Sequence, residues 1–300
     1  MNNELYVDHL VIGFSISGIA AAIELASRGR SVYIVEHWLD TASITGAAFI
    51  FSTPLNQGKL VGEEFEEIAL QTLYQLNVIV SRGFLTTLCL KGNKNHTCFY
   101  FFDEITRKNV FATSTIFAPN GTEIGLPDKL VAKSFFGKGV SYDAWSDSIF
   151  YINKPVTIIG CGNRAIEQAY WAAKWASSVY LVCENETLKV SPFWMKIVAN
   201  STTIKTDVGT QFNSIISDGN GYVKGIVLSK EGKDYVNVTS AVFIARELVC
   251  DWSIWGDEQQ AKSYINKRML YMCGLATGID YNLHAELFQD GIHVAKKCLR

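Results

Sequence analysis

Two stretches of this chain repeat one order of residues: an apolar run, a turn containing glycine, an alanine-rich run, a second apolar run and a closing glutamate. The first, YVDHLVIGFSISGIAAAIELASRGRSVYIVE, spans Tyr6 to Glu36; the second, KPVTIIGCGNRAIEQAYWAAKWASSVYLVCE, spans Lys154 to Glu184. Near-continuous apolar runs read as strands buried on both faces, which belong in parallel sheets covered by helices. The alanine-rich run between them reads as the crossover helix. Each stretch is therefore a βαβ unit of the kind that binds a dinucleotide, and two of them in one chain imply an α/β protein with two nucleotides.

The turns supply the chemical reason. In the second copy, Gly160, Cys161 and Gly162 follow the strand residues Val156 to Ile159 and open a helix expected to begin at Asn163 and Arg164. Glycine permits the tight turn and lets the backbone come close to a pyrophosphate, whose charge then rests at the positive end of a helix. The first copy keeps the outer glycines, Gly13 and Gly18, but has Ser15 between them and Ser17 beside Gly18. A serine costs some close approach and offers a hydroxyl to phosphate. Glu36 and Glu184, about twenty residues beyond the turns, stand where an acid accepts hydrogen bonds from ribose hydroxyls.

A hydrophobic share of 48% and a charged share of 19% over 300 residues describe a compact globular protein with room for two cores. The net charge of −2 gives no reason to expect nucleic acid or an anionic membrane as a partner. Asn2, Asn3, Glu4 and Asp8 do not form the basic start of a signal peptide, and no apolar stretch reaches the roughly 20 residues that cross a bilayer, so a soluble, cytoplasmic protein is expected. The seven cysteines, Cys89, Cys98, Cys161, Cys183, Cys250, Cys273 and Cys298, are odd in number, scattered, and never spaced as C-x-x-C. They read as inert core thiols, Cys161 included.

Between the βαβ units, residues 42–62 read as a long loop over the first nucleotide, and residues 63–76 as an amphipathic helix with Phe65, Ile68, Ala69, Leu73 and Leu76 on one face. Residues 78–81, 84–90, 97–102 and 109–112 suggest an antiparallel meander, followed by a separate apolar strand at 115–118. Beyond the second unit, strands are expected near 203–205, 210–216, 222–229, 235–243 and 267–274, with a closing helix over 281–299. The simplest organisation is a first domain of residues 1–121 and 245–300 with a second domain, 122–244, inserted into it.

Several further motifs give the chain a family likeness. Ile116-Phe117-Ala118-Pro119-Asn120-Gly121, Ile124-Gly125-Leu126-Pro127 and Phe136-Gly137-Lys138-Gly139-Val140-Ser141-Tyr142, together with both glycine turns, resemble the low-molecular-weight thioredoxin reductases. That resemblance implies two Rossmann-like domains, the second inserted in the first, with FAD on the first and a nicotinamide nucleotide on the second. It also implies a homodimer. Besides the first turn and Glu36, it assigns FAD contacts to Gly46, Asn56, Ala118, Asn120, Gly121, Gly274, Leu275, Leu283 and His284. On the second domain it assigns nucleotide contacts to Gly160, Gly162, Asn163, Arg164 and Glu184.

The working parts of that family are altered here. Where the reductases carry Cys-Ala-Thr-Cys-Asp, this chain has Asp143-Ala144-Trp145-Ser146-Asp147, and neither aspartate nor serine can exchange with a disulfide. Where the family has His-Arg-Arg for the extra phosphate of NADPH, Cys183-Glu184-Asn185 stands, which favours NADH over NADPH. Gly274-Leu275 replaces a Gly-Asp, and Tyr281-Asn282-Leu283 replaces Tyr-Arg-Gln. The expected function is an FAD oxidoreductase that passes electrons through the flavin without a C-x-x-C pair, from an unidentified donor to an unidentified acceptor. The alternatives are a catalytically degenerate nucleotide-binding protein with a structural, sensing or partner-binding role, and an enzyme of the ferredoxin or flavodoxin reductase kind. Candidate catalytic residues are Asp143, Trp145, Ser146, Asp147 and His284, against a helix-capping reading for Asp147 and a packing reading for Trp145. Trp252 and Trp255 read as core or dimer contacts.

Overall fold

The computed structural model describes residues 4–37, 48–50, 59–85, 88–92, 97–124, 133–190, 192–245, 247–256, 258–277 and 284–299. In chain order the elements begin with β1 Glu4–Ile12, α1 Ile16–Ser27, β2 Val32–His37, β3 Ala48–Ile50, β4 Lys59–Val61 and α2 Gly62–Gln75. Then come β5 Ile79–Leu85, β6 Cys89–Gly92, β7 Thr97–Asp103, β8 Lys108–Phe117, β9 Thr122–Ile124, β10 Val140–Ser141, α3 Ala144–Asp147, β11 Pro155–Ile159, α4 Asn163–Ala172 and β12 Ser178–Cys183. The chain continues through α5 Pro192–Ala199, β13 Ile204–Val208, β14 Thr210–Ser217, β15 Val223–Lys230, β16 Lys233–Val238, β17 Ala241–Ile244 and β18 Glu247–Val249, and closes with α6 Glu258–Asn266, β19 Leu270–Met272 and α7 His284–Cys298. It divides into two compact units, Met1–Glu123 with Leu248–Arg300, and Ile124–Glu247.

The first unit is built on a sheet of order β5-β2-β1-β8-β7-β6, with β19 also paired to β8. Side chains alternate between its faces as strand geometry requires. Val11, Val32 and Ile34 point to the helical side, where they meet Ile19, Ala22 and Leu25 of α1, Leu73 of α2 and Val294 of α7. Leu10, Ile12, Tyr33 and Val35 point to the other side, against Phe99, Phe117 and Trp255. Each such side chain, fully buried, contributes about 1.5–3 kcal/mol. Helix α1 is started by the Ser15 cap, carried by Ala20 to Ala22, and stopped at Gly29, whose φ of +77° is open to glycine.

The strand expectations need correcting here. Residues 79–85 do not open an antiparallel meander: they form one strand, β5, parallel to β2, with a register shift at Val35/Glu36, and the antiparallel run begins only at β6. Residues 109–118 are not two strands but one, β8. Its first half pairs antiparallel with β7 and its second half parallel with β19 on the same edge, so a change of neighbour imitates a break in sequence. Within residues 42–62, expected as loop, β3 and β4 pair antiparallel. Trp255 is a core residue, edge-on to Phe99 and Phe117.

The second unit has an all-parallel sheet of order β10-β17-β11-β12-β13 and a three-stranded antiparallel sheet, β14-β15-β16. Helix α4 covers one face with Ala165, Ile166, Ala169 and Ala172, packed on Val156, Ile158, Val179 and Leu181. The other face, Ile159, Val182, Val242 and Ile244, packs against Phe212, Ile226 and Leu228 of the antiparallel sheet. Expected as one strand, residues 235–243 are two, β16 and β17, in different sheets. The chain changes sheet at Thr239 and Ser240, where Thr239 Oγ1 donates to Ala241 O at 2.8 Å. Asp207 joins the two layers, accepting from the Tyr180 and Tyr235 hydroxyls at 2.5 Å each and from Lys230 Nζ at 2.6 Å.

Candidate functional site

The first glycine turn lies at the C-terminal end of β1, between it and the end of β8. Gly13 has φ +109°, and a Cβ there would stand 2.1 Å from the Ala118 carbonyl oxygen, so only glycine fits. A Cβ on Gly18 would stand 2.4 Å from the Gly13 carbonyl. Ser15 Oγ accepts from Gly18 N at 3.1 Å and lies 3.1 Å from Ser17 Oγ, so the serine that interrupts the glycine pattern is the cap of the twelve-residue α1. Asn120 Nδ2 donates to the Phe14 carbonyl at 3.1 Å and fixes the turn from the β8 side, beside Ala118 and Gly121. The arrangement is a backbone cradle at a positive helix end, which suits a pyrophosphate.

Two residues complete this site that the sequence pattern did not reveal. Arg82 of β5 donates from Nη1 to Glu36 Oε1 at 2.7 Å, pairs through Nη2 with Glu66, and places its guanidinium 4.5 Å from the centre of the Phe14 ring. Glu36, the expected ribose acceptor, is thus oriented by an arginine 46 residues away in the chain. Asp290 of α7 accepts the Gly274 amide through Oδ2 at 2.8 Å. An acid from the closing helix therefore stands beside Gly274, whereas Leu275 at the family's aspartate position is partly buried in a 3-10 turn. Helix α7 can approach because residue 291 is glycine: a Cβ there would stand 2.1 Å from the Ser17 carbonyl. Cys273, buried against Ser17 and Asp290, has its thiol pushed well up, first by burial and then by the Asp290 charge. Gly46, Asn56 and Leu283 lie outside the described residues, and of His284 only its backbone position opening α7 is described.

The second turn follows β11. Gly160 has φ +151°, donates to Val182 O at 3.0 Å, and leaves 2.9 Å between a would-be Cβ and Ala245 Cβ. Gly162 caps the ten-residue α4 without a side-chain bond, Asn163 and Arg164 begin the helix, and Glu184 is exposed just past β12. Here the cysteine expectation is overturned: Cys161 and Cys183 form a disulfide with Cα atoms 4.8 Å apart. The cause is the register of the parallel pair. Ile159 is opposite Val182, so Cys183, the last residue of β12, and Cys161, two residues past β11, emerge together at one end of the sheet. The chain thus has a disulfide, at a separation of 22 residues instead of the C-x-x-C spacing. Cys89, Cys273 and Cys298 are free thiols.

Around Asp143 to Asp147 the structure is a short capped helix. Asp143 Oδ1 accepts from Trp145 N at 2.9 Å, and Oδ2 accepts from Ser146 Oγ at 2.7 Å. Asp143 is therefore the cap, and Asp147 makes no side-chain cap bond. Trp145 packs edge-on against Trp171 with ring centres 4.0 Å apart, as the packing reading holds. Nearby on α4, Glu167 is pushed above the ordinary carboxyl range, chiefly by burial, which outweighs the attraction of Arg164. Nothing in the spacing of the sequence singles out this residue.

Comparison with known proteins identifies this construction. The sequence profile of the pyridine nucleotide-disulphide oxidoreductases matches residues 7–249. The chain belongs to that family. It is 29% identical over 205 residues to a thioredoxin reductase of Ureaplasma parvum, a match that covers 68% of this chain and 63% of that one. Less than two thirds of that relative's length is therefore spanned. Its fold is similar to that of Lactococcus lactis thioredoxin reductase (TM-score 0.75, 19% identity, 98% of each chain) and of the T. acidophilum thioredoxin reductase (TM-score 0.70, 20% identity, 98% of each chain). The mixed sheet of the first unit and the parallel sheet of the second, each with a glycine turn after a parallel strand, are the Rossmann-like pair expected from the sequence. Among the described residues no helix is long and apolar enough to cross a membrane.

Proposed function

We propose that this member of the family binds FAD at the Gly13 turn and passes electrons from NADH through the flavin directly to an acceptor, with no thiol pair between them. The observation that carries the reading is that the first cradle is intact while, in the other unit, Asp143 and Ser146 are engaged in capping their own helix. FAD, when bound, supplies two-electron uptake and stepwise or paired release. The chain's own part is to hold the pyrophosphate at the α1 N-terminus, to orient Glu36 through Arg82, and to keep Gly274 in place through Asp290. Glu184, exposed after β12, accepts ribose hydroxyls and repels a 2′-phosphate, which selects NADH over NADPH. By likeness to the reductases we take the working form to be a cytoplasmic homodimer. A second reading, a nucleotide-binding protein with a sensing role, is favoured by the disulfide in the second turn.

The test is anaerobic addition of each nicotinamide nucleotide to FAD-loaded protein that has been treated with dithiothreitol and desalted. NADH is expected to bleach the visible flavin band at least about tenfold faster than NADPH, equivalent to ~1.4 kcal/mol of discrimination. Flavin that stays oxidised with both would contradict the enzyme reading and favour the sensing one.

A further inference from the structure

We propose that Cys161–Cys183 is a thiol-disulfide gate on the second dinucleotide site: closed when oxidised, open to the adenosine and pyrophosphate of a nicotinamide dinucleotide when reduced. This rests on the reading of the second turn as a nucleotide site. Three observations carry it. The first is position. Cys161 is the residue between the two glycines of the turn, where the backbone has to approach pyrophosphate, and Cys183 directly precedes Glu184, the ribose acceptor. The bond between them ties the turn after β11 to the end of β12 and so spans the crevice in which a dinucleotide lies.

The second observation is the backbone that closes over the same place. After β12 the chain folds back so that Lys189 N donates to Cys161 O at 3.0 Å and residue 189 bridges Gly162 in parallel fashion. The carbonyls of Asn185 and Thr187 lie 3.4 and 3.8 Å from Cys183 Sγ, and Gly209 N holds Asn185 O at 2.9 Å. Residues 185–189 are therefore wrapped around the disulfide and lie against the glycine turn.

The third observation is the contrast between the two copies. The first turn has Phe14 where the second has Cys161, and Val35 where the second has Cys183. That pair cannot be cross-linked, and Phe14 instead carries the Arg82 guanidinium. Sulfur has been placed at the two facing positions of one cradle and not of the other.

The exchange chemistry balances. Cys161 is partly exposed and Cys183 is buried, so the thiolate of an external dithiol attacks Cys161 Sγ. The S–S bond breaks, Cys183 leaves as a thiolate and takes up a proton, and a mixed disulfide forms on Cys161. The second thiol of the reagent attacks its own sulfur in that mixed disulfide, leaves as the cyclic disulfide, and releases Cys161 at the N-terminus of α4, where a thiolate is stabilised. Two electrons pass to the protein, with one proton on Cys183 and the second proton of the dithiol released to solvent while Cys161 stays a thiolate. A low-molecular-weight disulfide reverses the process and leaves as two thiols.

The test is calorimetric titration of ADP-ribose, which has the adenosine and pyrophosphate but no hydride, into protein with FAD added. Oxidised parent protein, dithiothreitol-reduced parent protein and the Cys183→Ser variant are compared, with differential alkylation to locate the free thiols. The reduced protein and the variant are expected to bind ADP-ribose at least about tenfold more tightly than the oxidised protein, with alkylation of Cys161 and Cys183 in the parent protein appearing only after reduction. Equal affinity in the oxidised and reduced forms would overturn the gate and leave the second site standing as a nucleotide site. Absence of binding in all three would overturn both. Alkylation of both cysteines in unreduced protein would overturn the gate at its first premise.

Discussion

Replacing Gly13 by alanine is expected to abolish FAD uptake and to destabilise the first unit by about 3–5 kcal/mol, the range of a severe single substitution. Two effects add. An L-residue at φ +109° is strained, and the new methyl would overlap the Ala118 carbonyl oxygen at 2.1 Å, a backbone atom of the residue directly after β8, whose amide is held by Ile12 O. Relief requires the ends of β1 and β8 to separate, which removes the Ala118 N to Ile12 O hydrogen bond and pulls Asn120 away from Phe14. Gly29→Ala is the matching control. It also has a positive φ, +77°, but nothing lies within 4 Å of its would-be Cβ, so only conformational strain of about 1 kcal/mol is expected and FAD uptake is retained. Denaturant midpoints and flavin titration of the two variants check both statements.

Asp207→Asn is expected to destabilise the second unit by about 2–4 kcal/mol at neutral pH, because three charge-assisted bonds are lost or weakened at one partly buried carboxylate. The Asp207 carboxyl is held well below its ordinary 3.8: burial pushes it up, and the bonds from Lys230, Tyr180 and Tyr235 together pull it further down. A depressed folded value means that the stabilisation is fully present above the ordinary carboxylate range and is lost as pH falls toward the folded value. The difference between parent and variant is therefore expected to be constant from neutrality down to about pH 5 and to shrink progressively below about pH 4. Urea unfolding at stepped pH measures it. A difference that grows on acidification would show that Asp207 does not work as a buried carboxylate.

The two cradles were legible in the sequence because glycine is demanded locally: Gly13 and Gly160 both stand at positive φ with backbone or packed side chains where a Cβ would go. The buried strands were legible for a similar reason, since two-sided burial leaves a continuous apolar run such as Val156 to Ile159. What escaped were relations between distant segments. Arg82 meets Glu36 only because β5 pairs with β2, and Asp290 meets Gly274 only because Gly291 lets α7 approach α1. Strand propensity runs on through Thr239, so the change of sheet between β16 and β17 left no mark. The Cys161–Cys183 bond left none either: a separation of 22 residues matches no disulfide motif, and each cysteine by itself looks like a small apolar residue.

Flavin occupancy is the most direct measure of the central claim that the first glycine turn is an FAD site and the second is not. Folded protein titrated with FAD, alongside Gly160→Ala, is expected to bind one flavin per chain in both cases, since Gly160 stands at the other cradle. A folded parent protein that takes up no FAD at saturation, or one whose flavin is lost on substituting Gly160, would contradict it.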